Sequence, residues 1–368
     1  MFGKTAADGR MPPEIFKNGD PMKRLVGVVC PDGQVKCVED DVPALKDGEV
    51  LVEVRNSLIS PGTEMALVRN LRSGKVKLDE PFKFGYSCAG IVMETKGDAK
   101  GLISGMRVAC MGGGAAVHGT YAAVPVNLIM PIPDNVSFEQ GCYLSLAATA
   151  LQAVRRTDAR MGEYGAVLGL GIVGNLAAQL FRIGGARVLG WECLSLRAEI
   201  AGKCGIPSVD FVKEDPVEPT RKFAAPYGLD FALFSFGGDG EKAFQNIKNC
   251  MKVSADGHAM GNVTLVGGCR VPVDGGAASG NLNILVSSRT GAGYHDSEWE
   301  HGKDYPSAFV QFTTKRNAEE LVRLMSERRL LTDPLTTHRV PLTGIGEASE
   351  MLIAHPDTTL GVILEMKH

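Results

Sequence analysis

Residues 165–185 read GAVLGLGIVGNLAAQLFRIGG, and their interpretation decides the fold. The opening GAVL is a short apolar run of strand character. Gly169-Leu170-Gly171-Ile172-Val173-Gly174 then forms a GxGxxG motif, and the residues after it are apolar with a helical period. In a strand–turn–helix setting each glycine has a distinct task. Gly169 allows the tight turn, Gly171 lets backbone N–H groups approach a pyrophosphate, and Gly174 lets the helix pack on the strand. The next apolar run, ARVLGW over 186–191, ends at Glu192, 18 residues beyond Gly174. A carboxylate there can accept both hydroxyls of an adenosine ribose and would repel a 2′-phosphate. The motif therefore predicts NAD ahead of NADP. Arg197 weighs the other way, because it lies close enough to serve a phosphate.

Working outward, strand and helix patterns alternate on the C-terminal side. LSLRAEIAGKCG, SVDFV, LDFALFSF, EKAFQNIKNCM, NVTLVGG and NILVSS follow in turn. This β-α-β rhythm predicts a doubly wound parallel sheet over about 157–288. On the N-terminal side, from Lys23 to about Pro133, short β-branched runs are broken by Gly, Pro and Asp, with no long helical pattern between them. That predicts a compact, partly antiparallel β-fold. Between the two, Asp134 to Arg156 is helix-friendly, with Ser137 three residues before Gln140 as a capping box. Beyond Arg289 one helix, Ala318–Glu327, and a closing strand GVILEM are expected to rejoin the β-domain. The predicted division is a polar leader over 1–22, a β-domain from 23–147 with 289–368, and a nucleotide-binding domain over 148–288.

Composition narrows the function. The chain has 368 residues, 39 Lys+Arg against 42 Asp+Glu, and no basic run, which argues against nucleic-acid or polybasic membrane binding. No apolar stretch reaches the ~18 residues of a spanning helix, and the N-terminus lacks the apolar core of a secretory signal. The nine cysteines include no CxxC pair and read as small buried thiols in a reducing cytoplasm. The 45 glycines are not periodic; they punctuate strands as turns and phosphate loops do.

From about Val26 to Glu365 the chain resembles the medium-chain dehydrogenase/reductase superfamily. The shared order is a GroES-like β-domain, a helix with a nicotinamide-side threonine, a GLGxVG Rossmann domain and a C-terminal return. SLAATALQAV (145–154) looks like the segment that carries that threonine, which falls on Thr149. THRVPLTGIGEASEML resembles the family's closing helix and strand. The resemblance implies a homodimer or homotetramer paired through the NVTLVGG to NILVSS edge. It also extends the cofactor-binding set to Gly267 and Arg289.

The departures are informative. Zinc-dependent members carry Cys-Gly-Thr-Asp where this chain has Ser60-Pro61-Gly62-Thr63-Glu64, and Gly-His-Glu where it has Gly85-Tyr86-Ser87. The third ligand position falls on Ser145, and the four-cysteine structural lobe is missing, with Cys110 alone between Arg107 and Val124. Zinc wants imidazole and thiolate, so no zinc is expected. SPGTE, His118-Gly-Thr-Tyr121 and SSRTGAGYHD (287–296) resemble a zinc-free branch that includes bacteriochlorophyllide dehydrogenase-type and sugar or cyclitol oxidoreductases.

Without zinc, a side chain must move the hydroxyl proton. Thr63 occupies the family's proton-relay position, Glu64 replaces the neighbouring Asp, and Tyr86 stands where a ligand imidazole would point. His118, on a β-domain loop, has the side chain that titrates nearest neutrality. Arg289, Tyr294, His295 and Asp296 follow the last Rossmann strand, where such sheets bind ligands; there Arg289 could pair with a cofactor phosphate or substrate carboxylate, and Tyr294, His295 and Asp296 could read the hydroxyls of a polar small-molecule substrate. The expectation is a zinc-independent, NAD-dependent alcohol dehydrogenase acting on a secondary hydroxyl of a sugar, cyclitol or hydroxylated ring. Three alternatives stay open: a zinc-free enoyl or quinone reductase, a redox-neutral epimerase or eliminase with tightly held NAD, and a non-catalytic dinucleotide binder.

Overall fold

The computed structural model describes residues 22–273, 275 and 279–367, so the expected leader lies outside the described residues apart from Met22. The chain opens with β1 (Lys23–Val29) and β2 (Val35–Asp41), an antiparallel hairpin. Next come β3 (Glu49–Ile59), α1 (Thr63–Arg72), β4 (Phe82–Lys83), β5 (Ser87–Lys96), β6 (Arg107–Met111), β7 (Tyr121–Pro125) and β8 (Ile129–Pro131). Helix α1 departs from the expectation of an all-strand segment. Its Met65, Val68 and Leu71 are buried at helical spacing, a stripe short enough to be lost among the flanking strands.

α2 (Phe138–Gly141) opens on the expected capping box. Ser137 Oγ accepts from Gln140 N at 3.1 Å, and Ser137 N donates to Gln140 Oε1 at 2.9 Å. α3 (Leu144–Thr157) then leads into β9 (Tyr164–Leu168), α4 (Ile172–Ile183), β10 (Arg187–Trp191), α5 (Ser195–Lys203), β11 (Ser208–Val209) and α6 (Val217–Ala224). β12 (Phe231–Ser235), β13 (Gly238–Asp239), α7 (Glu241–Lys248), β14 (Met260–Val266), β15 (Cys269–Arg270) and β16 (Asn281–Val286) follow. The six-stranded sheet has the order β11-β10-β9-β12-β14-β16, and every pairing in it is parallel. Along β9, Val167 joins one core while Ala166 and Leu168 join another. Both faces of the sheet are therefore covered, as a doubly wound fold requires.

After β16 the chain makes α8 (Ser297–Glu300), α9 (Thr314–Ser326), β17 (Thr336–Pro341), α10 (Ile345–Ala354) and β18 (Gly361–Glu365). Three helices stand where patterning gave one, α10 falling in the stretch whose resemblance implied a closing helix. α9 also begins earlier than Ala318, because Thr313 Oγ1 accepts from Arg316 N at 3.2 Å and caps it there. β17 and β18 join the seven-stranded sheet β17-β18-β3-β5-β6-β8, whose off-path member β7 pairs with β3. The GroES-like β-unit thus takes strands from both ends of the chain, beside the Rossmann sheet. Among the described residues no helix is long and apolar enough to cross a membrane.

Candidate active site

The Rossmann sheet presents a row of turns at the C-terminal ends of its strands. Gly169 leaves β9 at φ +84, a left-handed conformation that glycine alone adopts freely. A Cβ on Gly174 would sit 1.9 Å from Gly169 O, so helix and turn touch backbone to backbone. Gly171 is the open member of the three: a Cβ there meets only Arg197 Nη1, at 3.9 Å. Gly171 is also the N-cap of α4 and brings no side-chain cap, which leaves the helix's first N–H groups to a ligand. Ile172 and Val173 form the first turn, and Gly267, at φ +87, turns the chain after β14.

Glu192 ends β10 nearly buried, at 3% exposure. Its Oε2 accepts from Leu170 N at 2.8 Å, and its Oε1 accepts from Cys193 N at 2.9 Å and Leu194 N at 3.0 Å. The carboxylate therefore ties the glycine turn to the end of β10. Arg197 lies over this turn with its Nε buried and unpartnered. An open helix N-terminus, a close-packed glycine turn and an orphaned guanidinium nitrogen fit a dinucleotide with its pyrophosphate over Gly171. Glu192 and Arg197 would then flank the adenosine end.

The second half of the site lies on the β-unit. Glu64, in the first turn of α1, folds back so that its Oε2 accepts from Ser60 N at 2.6 Å. Its carboxylate also meets His118 Nε2, at 3.1 Å from Oε1 and 3.3 Å from Oε2. The other ring nitrogen, Nδ1, lies 2.9 Å from Ser57 Oγ. Glu64 is 5% exposed and His118 fully buried, so this loop histidine is an interior group. Phe84 closes it off edge-on, with ring centroids 5.2 Å apart at 86°. Sequence reasoning missed Ser57 and Phe84. Both sit in strand-like apolar stretches that carry no chemical signal.

Tyr86 follows directly and is partly buried. Burial, reinforced by the Glu64 carboxylate, pushes its phenol well above the ordinary tyrosine range, while the Ser60 and Thr63 hydroxyls pull the other way. Thr63 itself is exposed. Across the cleft, Tyr294 Oη accepts from Gly113 N at 3.2 Å, and the His295 ring stands 4.3 Å from that of Tyr294. Burial raises the Tyr294 phenol too, with the Arg289 charge acting against it. Arg289 and His295 both adopt left-handed backbone, φ 65 and 70, on an exposed loop. The structure thus brings together Thr63, Glu64, Tyr86 and His118 in one cluster, with Tyr294, His295 and Arg289 in the facing loop. Asn317, which carried no sequence signal, pins that loop by donating to Thr290 O at 2.7 Å.

The residues do not fit a catalytic zinc. Ser87 stands where zinc-dependent members carry the carboxylate next to the ligand imidazole, and its hydroxyl is committed to Cys142 O at 2.5 Å. Both ring nitrogens of His118 are engaged. Among the described residues no group of three or more His, Cys, Asp or Glu could hold a metal ion. Thr149, which the resemblance sets on the nicotinamide side, donates its hydroxyl to Ser145 O at 3.1 Å.

A doubly wound sheet with a dinucleotide cradle, set beside a GroES-like unit carrying buried acid–base groups, defines a two-unit oxidoreductase. Its relatives and structural neighbours are dehydrogenases of alcohols and polyols, in keeping with the resemblance to the medium-chain dehydrogenase/reductase superfamily. No protein-family model matches it. It is similar to sorbitol dehydrogenase of Bacillus subtilis, 25% identical over 246 residues that cover 59% of this chain and 69% of that protein. It is also similar to D-xylulose reductase of Saccharomyces cerevisiae, 22% identical over an alignment of 370 residues covering 90% and 95%. Among solved structures, an Escherichia coli oxidoreductase of unknown specificity superimposes with a TM-score of 0.77 at 17% identity, covering 94% of this chain and all of that one. An Escherichia coli alcohol dehydrogenase complexed with NADH superimposes with a TM-score of 0.71 at 15% identity, covering 93% and 99%.

Proposed function

We propose that the protein is an NAD-dependent, zinc-independent alcohol dehydrogenase that interconverts a secondary hydroxyl and its ketone on a sugar, cyclitol or other hydroxylated ring. The observation that carries this reading is Tyr86, a phenol flanked by Ser60 and Thr63 at the position where zinc-dependent relatives hold an imidazole ligand. The nicotinamide, when bound, supplies or takes the hydride. The chain's own residues do the rest. Tyr86 holds the substrate oxygen and exchanges its proton, and exposed Thr63 connects that proton to solvent. Tyr294, His295 and Arg289 line the polar side where further hydroxyls are read. Glu192, whose negative charge closes β10, supports NAD over NADP.

The free state of all nine cysteines supports a reducing, cytoplasmic setting. β16, the sheet edge with Val286 64% exposed, supports a homo-oligomer built through that strand. The deciding experiment treats the protein with a chelator, then presents NAD with a panel of cyclitols, sugars and hydroxylated rings while reduced-nicotinamide absorbance is followed. Turnover that survives metal removal is expected, and turnover abolished by chelation would overturn the reading. Silence across the panel with NAD still bound would move the assignment to reduction of a conjugated double bond or to internal redox cycling.

A further inference from the structure

Ser287 is the first residue after β16, at the ligand-binding end of the Rossmann sheet. It is 4% exposed, and among the described residues its Oγ has no hydrogen-bond partner. Its backbone N is committed, donating to Leu265 O at 2.9 Å. A buried hydroxyl left without a partner costs stability, a cost that a ligand within reach removes. Two other buried hydroxyls share the lack, Thr332 and Thr359, but they lie in the turns leading to β17 and β18 of the other sheet.

Strand register fixes where the Ser287 hydroxyl points. β16 runs parallel beside β14, with Asn283 opposite Asn262 and Val286 opposite Leu265, so the next step sets Ser287 beside Val266. Side chains alternate along a strand, and Ser287 therefore shares a face with Asn283, Asn262, Thr264 and Val266. α3 covers this face: Asn262 Nδ2 donates to Thr157 O and Thr157 Oγ1 donates to Thr264 Oγ1, both at 2.8 Å. Because α3 leads directly into β9 of the same parallel sheet, it runs antiparallel to the strands. Going back along it from Thr157 to Thr149 climbs ~12 Å, against ~7 Å from Thr264 to Val266. Thr149, set by the resemblance on the nicotinamide side, and Ser287 thus stand toward the same C-terminal rim.

The sheet order decides which part of a dinucleotide passes there. The glycine turn follows β9, and Glu192 follows β10 on one side of it. A cofactor with its pyrophosphate over Gly171 and its adenosine beside Glu192 extends its other half over β12, β14 and β16. That half ends in the nicotinamide ring, whose carboxamide offers an N–H2 donor and a C=O acceptor. A serine hydroxyl can meet either. We propose that Ser287 Oγ hydrogen-bonds the nicotinamide carboxamide, making Ser287 a cofactor-binding residue that holds the nicotinamide end and not the adenosine end. This rests on the dinucleotide reading of the preceding sections.

The test is calorimetric titration of the full chain with NADH and, separately, with ADP-ribose, which lacks the nicotinamide. Ser287→Ala should weaken NADH binding roughly three- to tenfold, the worth of one neutral hydrogen bond, and leave ADP-ribose within about twofold. A role in shaping the fold alone would move both ligands together. Without cofactor, the thermal midpoint of Ser287→Ala should stay level or rise, because the variant no longer buries an unpaired hydroxyl. Unchanged NADH affinity, an equal loss of NADH and ADP-ribose, or a cofactor-free midpoint that falls by several degrees would each overturn the proposal. If neither NADH nor ADP-ribose binds the wild type, the dinucleotide reading fails and the proposal with it. If both bind as expected but no alcohol is turned over, the dehydrogenase assignment fails and that of Ser287 stands.

Discussion

Gly171 and Gly174 lie three residues apart in one motif, yet the structure predicts opposite consequences for the same added methyl. At Gly171 the backbone is extended, at φ −60 and ψ −175, which any residue adopts, and the nearest heavy atom to a new Cβ is 3.9 Å away. Gly171→Ala should therefore stabilise the cofactor-free protein by about 0.4–1 kcal/mol, because the unfolded chain loses freedom that the folded chain never had. The same methyl stands in front of the uncapped N–H groups of α4 and keeps an anion beyond hydrogen-bond range. Losing one charge-assisted hydrogen bond costs about 1.5–3 kcal/mol, roughly ten- to a hundredfold in affinity. At Gly174 the new Cβ would sit 1.9 Å from Gly169 O and 3.2 Å from Ser235 Cβ, both on backbone or short side chains that cannot swing away. The helix must retreat by more than an ångström, at a cost of about 1–3 kcal/mol, and dinucleotide binding falls with it. Thermal denaturation without cofactor and calorimetric titration with NAD separate the two cases. A Gly171→Ala protein that is more stable and binds NAD poorly is expected. If it binds NAD within twofold of the wild type, no ligand approaches that backbone and the assignment of the cradle is wrong.

Further changes probe the rest of the site. Tyr86→Phe should lower turnover by about 10²–10⁴-fold while NAD affinity stays within twofold; wild-type turnover in steady-state assays would remove the acid–base role. Glu192→Gln turns an amide N–H2 toward the backbone N–H of Leu170, or else toward those of Cys193 and Leu194, and should cost about 1–3 kcal/mol, read in chemical denaturation. Asn317→Ala strands the buried Thr290 carbonyl and should loosen the loop carrying Arg289 and Tyr294. Faster amide exchange over 288–296 and a raised KM for substrate with unchanged NAD affinity are expected; unaltered exchange would refute the pinning. Val286→Lys, at the exposed edge of β16, should shift the protein to smaller assemblies in light scattering.

The parallel half of the fold could be read from sequence because its signal is local. GAVL, GLGIVG and the helix after it set strand, turn and helix within one stretch, and their spacing recurs down the chain. Ser137 and Gln140 were equally readable, since a capping box closes over three residues. The candidate site was readable only as residue types. His118 looked like an available loop imidazole, but its burial comes from Phe84, Gly85 and Ser57, up to 61 residues away, and no local pattern encodes that. Glu64 showed only an acidic residue beside a Pro-Gly turn, with no sign that it would serve both the Ser60 turn and a distant ring. Helix α1 was missed because its apolar stripe is only three residues deep. The pin from Asn317 to Thr290 was invisible because a lone asparagine in a helix usually faces solvent.

In the proposed reading Tyr86 stands in for a metal site, which alters how charge on the substrate oxygen is handled. A divalent cation stabilises an alkoxide by direct attraction, so hydride and proton can move in separate steps. Of the groups that act on Tyr86, Glu64, 5% exposed, contributes a carboxylate. An alkoxide forming at Tyr86 would face that charge through a poorly screened interior, where attraction and repulsion are both stronger than in water. The oxygen must therefore receive its proton as the negative charge develops, which demands a donor already in place. Tyr86, held between Ser60 and Thr63 and backed by a carboxylate that discourages its ionisation, meets that demand. The same arrangement makes a mutant with Tyr86→His a poor route back to metal chemistry. Ser145 and the Ser60–Glu64 stretch would still offer no thiolate to complete a zinc shell around an imidazole there.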